Sequence, residues 1–405
     1  LILHWLLLSF ADVLTALCLA VLIWVALGPI TLIARFIHDE RRLGREPNSA
    51  PCPPIIGEVP HVLVQLPVFN EPAVVENVLR TAAALDWPRD KLTIQLLDDS
   101  TDETSRIAEA VATELRAGGT DVQHVRREDR AGFKAGALAA GLELCGAPYV
   151  AMLDVDFRPP PDWLQCVMPR LLADPNAAFA QSRCEFTNYQ TNWITRAQGL
   201  LLDAHFLVEQ QTRARAGWLF QFNGTGGIWR RAAIEAAGGW SAYSITEDLD
   251  LAIRARLAGW HGIFVAEPPI PGQVPETVRN WRRQQRRWSN GFVQVAQRTF
   301  GKMLRAPWPL GEKLSALSMI TMQAFFPAAA IGLVALVLAF LLRGMDLRPY
   351  IAELAVVVIL TIIVAIGMTL PPYIALKRGP LGRYLQTVVL LPFLLLYLSG
   401  ANAPK

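Results

Sequence analysis

His61-Val62-Leu63-Val64-Gln65-Leu66-Pro67-Val68-Phe69-Asn70-Glu71 decides how this chain is read. His61–Leu66 is a short apolar run and the chain turns polar by Asn70, the form of a buried strand ending in a loop. The form recurs at Leu92–Leu97, Asp121–Val125, Tyr149–Leu153 and Ala178–Gln181, with helical patterns around Val74–Leu85, Thr104–Ala117 and Lys134–Leu144 between the first four. That β-α-β alternation predicts an α/β fold, a Rossmann-like and mostly parallel sheet whose ligands gather at the carboxyl ends of its strands. Polar residues stand at those ends: Asn70 and Glu71 after the first strand, Asp98-Asp99-Ser100-Thr101-Asp102 after the second, Asp154-Val155-Asp156 after the fourth. GxGxxG and GxxxxGK[ST] do not occur, which disfavours a dinucleotide-dependent oxidoreductase and a P-loop ATPase.

Outward from this middle the composition changes. The chain has 405 residues, 52% of them hydrophobic, with a mean hydropathy of +0.29. The apolar excess lies in residues 1–34 and again from about Leu317 onward. A transmembrane helix is expected over about Val13–Ile37. With Arg35, Arg41, Arg42 and Arg45 at its end it is too long and too basic for a cleaved signal peptide, and the positive-inside rule puts the α/β domain beyond it in the cytoplasm. Residues 46–60, rich in Pro and with Gly57 among them, read as a linker. Phe300–Lys313, with Lys302 and Trp308, reads as interfacial. Leu317–Leu342 and Ile351–Leu376 are long enough to cross, whereas Leu385–Leu398 is shorter and reads as re-entrant or incomplete. The three positive charges in loop 377–383 agree with a cytoplasmic α/β domain. The expected division is a transmembrane helix and basic segment (1–45), linker (46–60), α/β domain (61–275), interfacial helices (276–316) and membrane region (317–405). A net charge of only +3 gives no support for a nucleic-acid partner. The five cysteines, at 18, 52, 145, 166 and 184, show no CxxC or metal spacing and read as free thiols in a reducing compartment.

Three motifs carry chemistry. The carboxylates of Asp154-Val155-Asp156 can supply oxygen ligands to Mg²⁺ or Mn²⁺, leaving sites for diphosphate oxygens. Thr246-Glu247-Asp248 precedes Leu249, Ala252, Ile253 and Leu257, the spacing of an amphipathic helix with Thr246 as its N-cap. A carboxylate there can take a proton from a sugar hydroxyl, and spacing alone does not separate Glu247 from Asp248. In Gln284-Gln285-Arg286-Arg287-Trp288, positions 284, 287 and 288 share one helix face. They offer an amide, a guanidinium for diphosphate and an indole for stacking on a pyranose. Two readings stand for Lys134, a phosphate contact or a surface charge at a helix start, and two for Trp288, a sugar platform or a membrane-interface anchor. Asp98 can accept hydrogen bonds from a base or ribose.

Taken in order, Gln65 to Glu71, Leu97 to Asp102, Lys134-Ala135-Gly136, Asp154-Val155-Asp156, Phe222-Asn223-Gly224-Thr225-Gly226-Gly227, Thr246-Glu247-Asp248 and Gln284 to Trp288 resemble the motif series of the membrane-embedded family 2 glycosyltransferases. The resemblance covers about Pro60–Arg298. Within that family the chain is most similar to the plant cellulose synthase-like glucomannan and xyloglucan-backbone synthases, as a bacterial relative.

The resemblance implies a GT-A fold, a nucleotide-sugar donor and inversion at the anomeric carbon. It implies donor contacts from Asn70, Glu71, Asp98, Lys134, Asp154, Asp156 and Arg287, with Asp154 and Asp156 holding Mg²⁺ or Mn²⁺. Asp248 is then the general base, beside Glu247, and Asn223, Gly224, Thr225, Gly226, Gln284 and Trp288 serve the acceptor. The implied partners are UDP-glucose or GDP-mannose, a glycan or lipid acceptor, and membrane lipids. Such relatives carry a further cytoplasmic segment that caps the donor site, so the chain is expected to be truncated at Lys405. Two activities are consistent with the motifs: extension of a β-glycan, β-1,4-linked, with export, or transfer of one sugar to a lipid, as in glucosylceramide synthases.

Overall fold

A computed structural model describes residues 2–43 and 52–400. Leu1, Arg45, the first part of the 46–60 linker and the chain end at Lys405 lie outside the described residues. The chain divides into two compact units: Leu1–Leu43, Leu200–Glu209 and Val278–Lys405 form one, Gly44–Gly199 and Gln210–Thr277 the other.

After α1 (Ile2–Leu43), the second unit begins β1 (Val62–Val68), α2 (Val75–Ala83), β2 (Leu92–Asp98), α3 (Thr104–Ala117), β3 (Asp121–Arg126), α4 (Phe133–Glu143) and β4 (Tyr149–Met152). It continues through α5 (Trp163–Ala173), β5 (Ala177–Phe186), the first part of α6 (Trp193–Ala204), α7 (Gln211–Arg215), β6 (Gly227–Arg230), α8 (Arg231–Ala236), α9 (Glu247–Leu257) and β7 (His261–Gly272). Its seven strands make one sheet in the order β3-β2-β1-β4-β6-β5-β7. β1 runs parallel to β2, from Val62 opposite Leu92 to Val68 opposite Asp98, and parallel to β4 on its other side. The chain leaves β1 first toward β2 and later toward β4, so a crevice opens between the ends of β1 and β4 where such sheets bind ligands. Both central strands are buried along their length because helices cover them, and this is why they read as apolar runs.

Two strands lie outside the sequence expectation. β6 has four residues, too few to show a period, and pairs antiparallel with both β4 and β5. β7 contains Pro268, Pro269 and Pro271, residues that argue against a central strand, but it forms the sheet's edge, where missing N–H donors cost little. Beneath β6 an aromatic cluster fills the core, with Phe179 and Trp229 ring centroids 4.7 Å apart and Phe222 and Trp229 5.4 Å apart. Contacts of this kind contribute about 0.5–1.5 kcal/mol each beyond their buried area. They fix Phe222, the residue that opens the Asn223–Gly226 loop.

Three expectations are corrected. Cys52 and Cys166, read as free thiols, are joined in a disulfide that ties the linker to α5 across 114 residues, a pairing that depends on where the folded chain places the linker. The other three cysteines are free. The described part of the linker is also held by Lys91 Nζ on Glu58 at 2.8 Å and by Trp87 Nε1 donating to the Pro60 carbonyl at 3.1 Å. α9 is not amphipathic: Leu249, Asp250, Leu251, Ala252, Ile253 and Ala255 are all buried, Asp250 being neutralised by Arg254 at 2.7 Å. Thr246 stands at the N-cap position, but its hydroxyl makes no cap bond; it pairs with the Ser244 hydroxyl at 3.0 Å.

The other unit holds α1, α10 (Val278–Arg305), α11 (Leu310–Thr321), α12 (Phe325–Leu342), α13 (Ile351–Ala375) and α14 (Leu381–Gly400). Among the described residues three stretches are long and apolar enough to cross a membrane: Ile2–Arg42, Leu310–Leu342 and Arg348–Ala375. Small residues let these helices approach, as at Gly28, where an added Cβ would lie 1.8 Å from Ser318 Oγ. Several polar side chains in the unit are paired. Trp24 Nε1 donates to Thr321 Oγ1 at 3.0 Å, Arg343 meets Asp12 at 2.7 Å with the Tyr350 hydroxyl on the same carboxylate, and Arg378 makes two 2.8 Å bonds to the buried Asp203.

Candidate active site

At the carboxyl end of β4 the chain presents Asp154, whose backbone N–H donates to Thr225 Oγ1 at 2.9 Å. Gly226 N donates to the Met152 carbonyl at 2.8 Å, and Gln181 bonds both the Asn223 N–H and the Thr225 carbonyl at 2.9 Å. The glycine loop is thereby fastened to the strand that carries the two aspartates. Gly224 and Gly226 adopt φ of +75° and +70°, a region that favours glycine. At Gly224 space is also short, since a Cβ there would lie 2.8 Å from Asp248 Oδ2 and 3.4 Å from Lys134 Nζ. Gly224→Ala is therefore expected to lower turnover by about 10-fold or more, through about 1–3 kcal/mol of backbone strain and displacement of the Asp248 carboxylate, with the fold retained. Wild-type turnover in a folded Gly224→Ala protein would remove this account.

Lys134 settles between its two readings. It is neither a surface charge nor free to swing: its ammonium meets Asp154 Oδ1 at 2.6 Å, the Gly224 carbonyl at 3.0 Å and Glu247 Oε1 at 3.8 Å. One lysine thus joins the Asp154 strand end, the glycine loop and the Glu247-Asp248 pair. Burial alone would lower its pKa, but Asp154, Glu247 and Asp248 outweigh that and raise it. The reciprocal effect on the carboxylates is uneven. Asp248 is pushed up to about 7 by burial and the charge of Glu247, with Lys134 opposing. Asp156 is pushed up to about 6 by desolvation and the charge of Asp154, with Glu71 adding to the rise. Such displaced carboxylates are characteristic of sites built for proton or cation chemistry.

Asp98 differs from its expectation in setting. Its side chain is fully enclosed, Oδ2 accepting from His124 Nε2 at 2.9 Å and Oδ1 from Ser100 N at 2.8 Å. Beside it Asn70 N donates to Ser100 Oγ at 2.9 Å, and Glu71 stands exposed at the mouth of the crevice. Sequence reasoning missed Arg127. Its guanidinium bonds Asp99 at 2.9 Å and the carbonyls of Ala131 and Phe133 at 2.8 and 3.1 Å, shaping the turn that delivers Lys134. In the sequence it is one arginine among several, and nothing local marks it. Gln284, Arg287 and Trp288 lie in the other unit on α10, Arg287 exposed and the other two half-buried.

A seven-stranded sheet with one antiparallel strand inserted beside the catalytic crevice, bearing carboxylates at the ends of β1, β2 and β4, defines a glycosyltransferase of GT-A fold. The same fold occurs in the mannosyltransferase PcManGT from Pyrobaculum calidifontis, solved in complex with GDP-Man and Mn²⁺, at a TM-score of 0.61 and 21% identity over 90% of this chain and 98% of that one. Residues 60–291, more than half of the sequence, match the family described as glycosyltransferase like family 2, and the chain belongs to that family. Glucomannan 4-beta-mannosyltransferase 2 of Arabidopsis thaliana is 40% identical over 66% of this chain and 49% of its own length. A probable glucomannan 4-beta-mannosyltransferase 6 of Oryza sativa subsp. japonica is 38% identical over 70% and 50%. The chain therefore spans about half the length of the curated relatives it matches.

Proposed function

We propose that the chain is an inverting hexosyltransferase that extends a β-1,4-linked glycan from a nucleotide sugar. GDP-mannose is the favoured donor, with UDP-glucose the alternative the motifs also admit. The observation that carries this reading is the meeting of Lys134, Asp154, Gly224 and the Glu247-Asp248 pair at the carboxyl end of the sheet. The choice of donor rests on the glucomannan 4-beta-mannosyltransferases that are 38–40% identical to it over 66–70% of the chain.

Asp154 and Asp156 fit a divalent cation. Both are hard oxygen donors, and desolvation together with the charge of Asp154 pushes Asp156 up to about 6, a cost that a cation relieves. Among the described residues no third carboxylate or imidazole converges with the pair, leaving coordination positions to diphosphate and water. A Mg²⁺ or Mn²⁺ bound there would neutralise the departing diphosphate. Asp248 removes the acceptor hydroxyl's proton as that oxygen attacks the anomeric carbon, and a single displacement inverts the configuration. Lys134 balances the negative charge gathered by Asp154, Glu247 and Asp248. It keeps Asp248 ionised more than its burial would allow. Gln284 and Trp288 serve the acceptor in this reading, and Arg287 the diphosphate. With arginines at the end of α1 and in the 377–383 loop, the catalytic unit is assigned to the cytoplasmic side.

Incubating the membrane-inserted protein with GDP-mannose and UDP-glucose separately tests the reading. The expected result is GDP release with a β-1,4-mannan product lengthening in time. A product of one sugar on lipid would replace polymer synthesis with glycolipid synthesis, and release of neither nucleotide would sink the assignment.

A further inference from the structure

On β3, outside every motif, His124 stands between two carboxylates, with Nε2 2.9 Å from Asp98 Oδ2 and Nδ1 2.7 Å from Glu109 Oε2 on α3. Its side chain is 6% exposed and that of Asp98 0%, so this contact is closed to water. From Asp98 the bonding continues toward the crevice. Oδ1 takes the Ser100 N–H, Ser100 Oγ takes the Asn70 N–H at 2.9 Å, and Asn70 Oδ1 takes the Thr101 N–H at 2.9 Å. The loops after β1 and β2 are thus fastened to each other, and one imidazole fastens both to the edge strand.

We propose that His124 is a positioning residue for the donor: by bridging Asp98 and Glu109 it fixes the Asn70 and Asp98–Thr101 loops against which the nucleoside diphosphate binds. This rests on the proposed function, in which the nucleotide lies at these strand ends. The physical reason is the enclosed carboxylate. Asp98 stays ionised because His124, Ser105 and Ser100 offset its burial, and without the imidazole the only cation left to this enclosed anion among the described residues is Arg126 at 3.8 Å, which favours its moving or taking up a proton. Either response weakens the Ser100 N–H bond and, through Ser100, the hold on Asn70.

Both ring nitrogens face carboxylates, so both bonds exist together only in the imidazolium. The charged groups facing His124 and its partners are Asp98 on β2, Glu109 on α3, Arg126 on β3 at 3.8 Å from Asp98, and Arg116 on α3 against Glu109. Burial alone would lower the imidazole's pKa, but the two anions outweigh it and the net displacement is upward. The neutral ring can keep only one of the two bonds, so donor affinity is full below that raised pKa and falls in part as pH rises through it.

The test uses the full chain in membranes, measuring GDP and UDP binding directly and donor KM and kcat against pH. His124→Ala is expected to weaken nucleotide binding and raise donor KM by about 10-fold, the loss of one charge-assisted hydrogen bond, with kcat within about 2-fold. His124→Gln, which can still donate to Asp98, is expected to recover most of the affinity without the alkaline loss. Glu109→Gln, at a half-exposed helix position, should move that loss to lower pH by lowering the imidazole pKa. Unchanged nucleotide affinity in His124→Ala, an unmoved pH profile in Glu109→Gln, or a fall in kcat with KM intact would each overturn the proposal. Failure of the wild type to bind either nucleotide would overturn the functional reading itself, and this proposal with it.

Discussion

Asp248→Asn is expected to lower sugar transfer by about 10²–10⁴-fold, the usual contribution of a positioned general base, while donor binding stays within a few fold of wild type. The amide keeps the shape of the carboxylate and can keep the 2.8 Å contact from the Leu249 N–H to its oxygen, so the start of α9 should not move. What it lacks is a basic oxygen. Asp248 is the better placed of the two acids: Glu247 is 7% exposed and lies 3.8 Å from Lys134, whereas the Asp248 carboxylate borders the Gly224 loop assigned to the acceptor. A pH signature accompanies the mutation. With its pKa pushed up to about 7, Asp248 is ionised and competent above that value, and transfer falls as pH drops through it. Neutralising the neighbour with Glu247→Gln removes a charge that raises the Asp248 pKa, so the acid limb should shift to lower pH. Near-wild-type turnover in Asp248→Asn, measured with saturating donor, would return Asp248 to a structural role.

The second large effect concerns the cation. Chelation by EDTA is expected to stop transfer, by on the order of 10²-fold or more given the several kcal/mol a metal ion contributes, and added Mn²⁺ or Mg²⁺ should restore it. Asp156→Ala should be inactive and beyond rescue. Direct Mn²⁺ binding, read by electron paramagnetic resonance, should disappear in that variant, a measurement independent of turnover. Because Asp156 takes up a proton near pH 6, Mn²⁺ affinity should be full above that pH and fall as pH drops through it, proton and cation competing for the same oxygens. Full activity in excess EDTA would contradict the assignment of Asp154 and Asp156 to metal binding.

Much of the architecture is legible in the chain itself. The first four strands and three of the helices lie within a few residues of their sequence-derived bounds, because burial on both faces of a parallel sheet writes itself as apolar runs separated by helical periods. α1, expected over Val13–Ile37, extends from Ile2 to Leu43, since the flanking residues are good helix formers even where they are not all apolar. The candidate site is legible as a set of residue types at strand ends. Its wiring is not. Nothing near Lys134 announces a bond to a carbonyl ninety residues away, and Asp98, read as a ligand contact, is enclosed by a histidine that belongs to no motif.

By itself, the sequence determined the alternation of strands and helices, the three membrane-length apolar stretches and the acidic residues at the ends of the parallel strands. These are local properties, carried by side-chain polarity at a fixed period. Tertiary structure alone decided that the Pro-rich β7 closes the sheet, that a four-residue β6 enters antiparallel, that Cys52 meets Cys166, and that Lys134 draws together Asp154, Gly224 and Glu247. Each depends on which distant segments the sheet brings side by side, and a contact of that range leaves no period in the chain from which to read it.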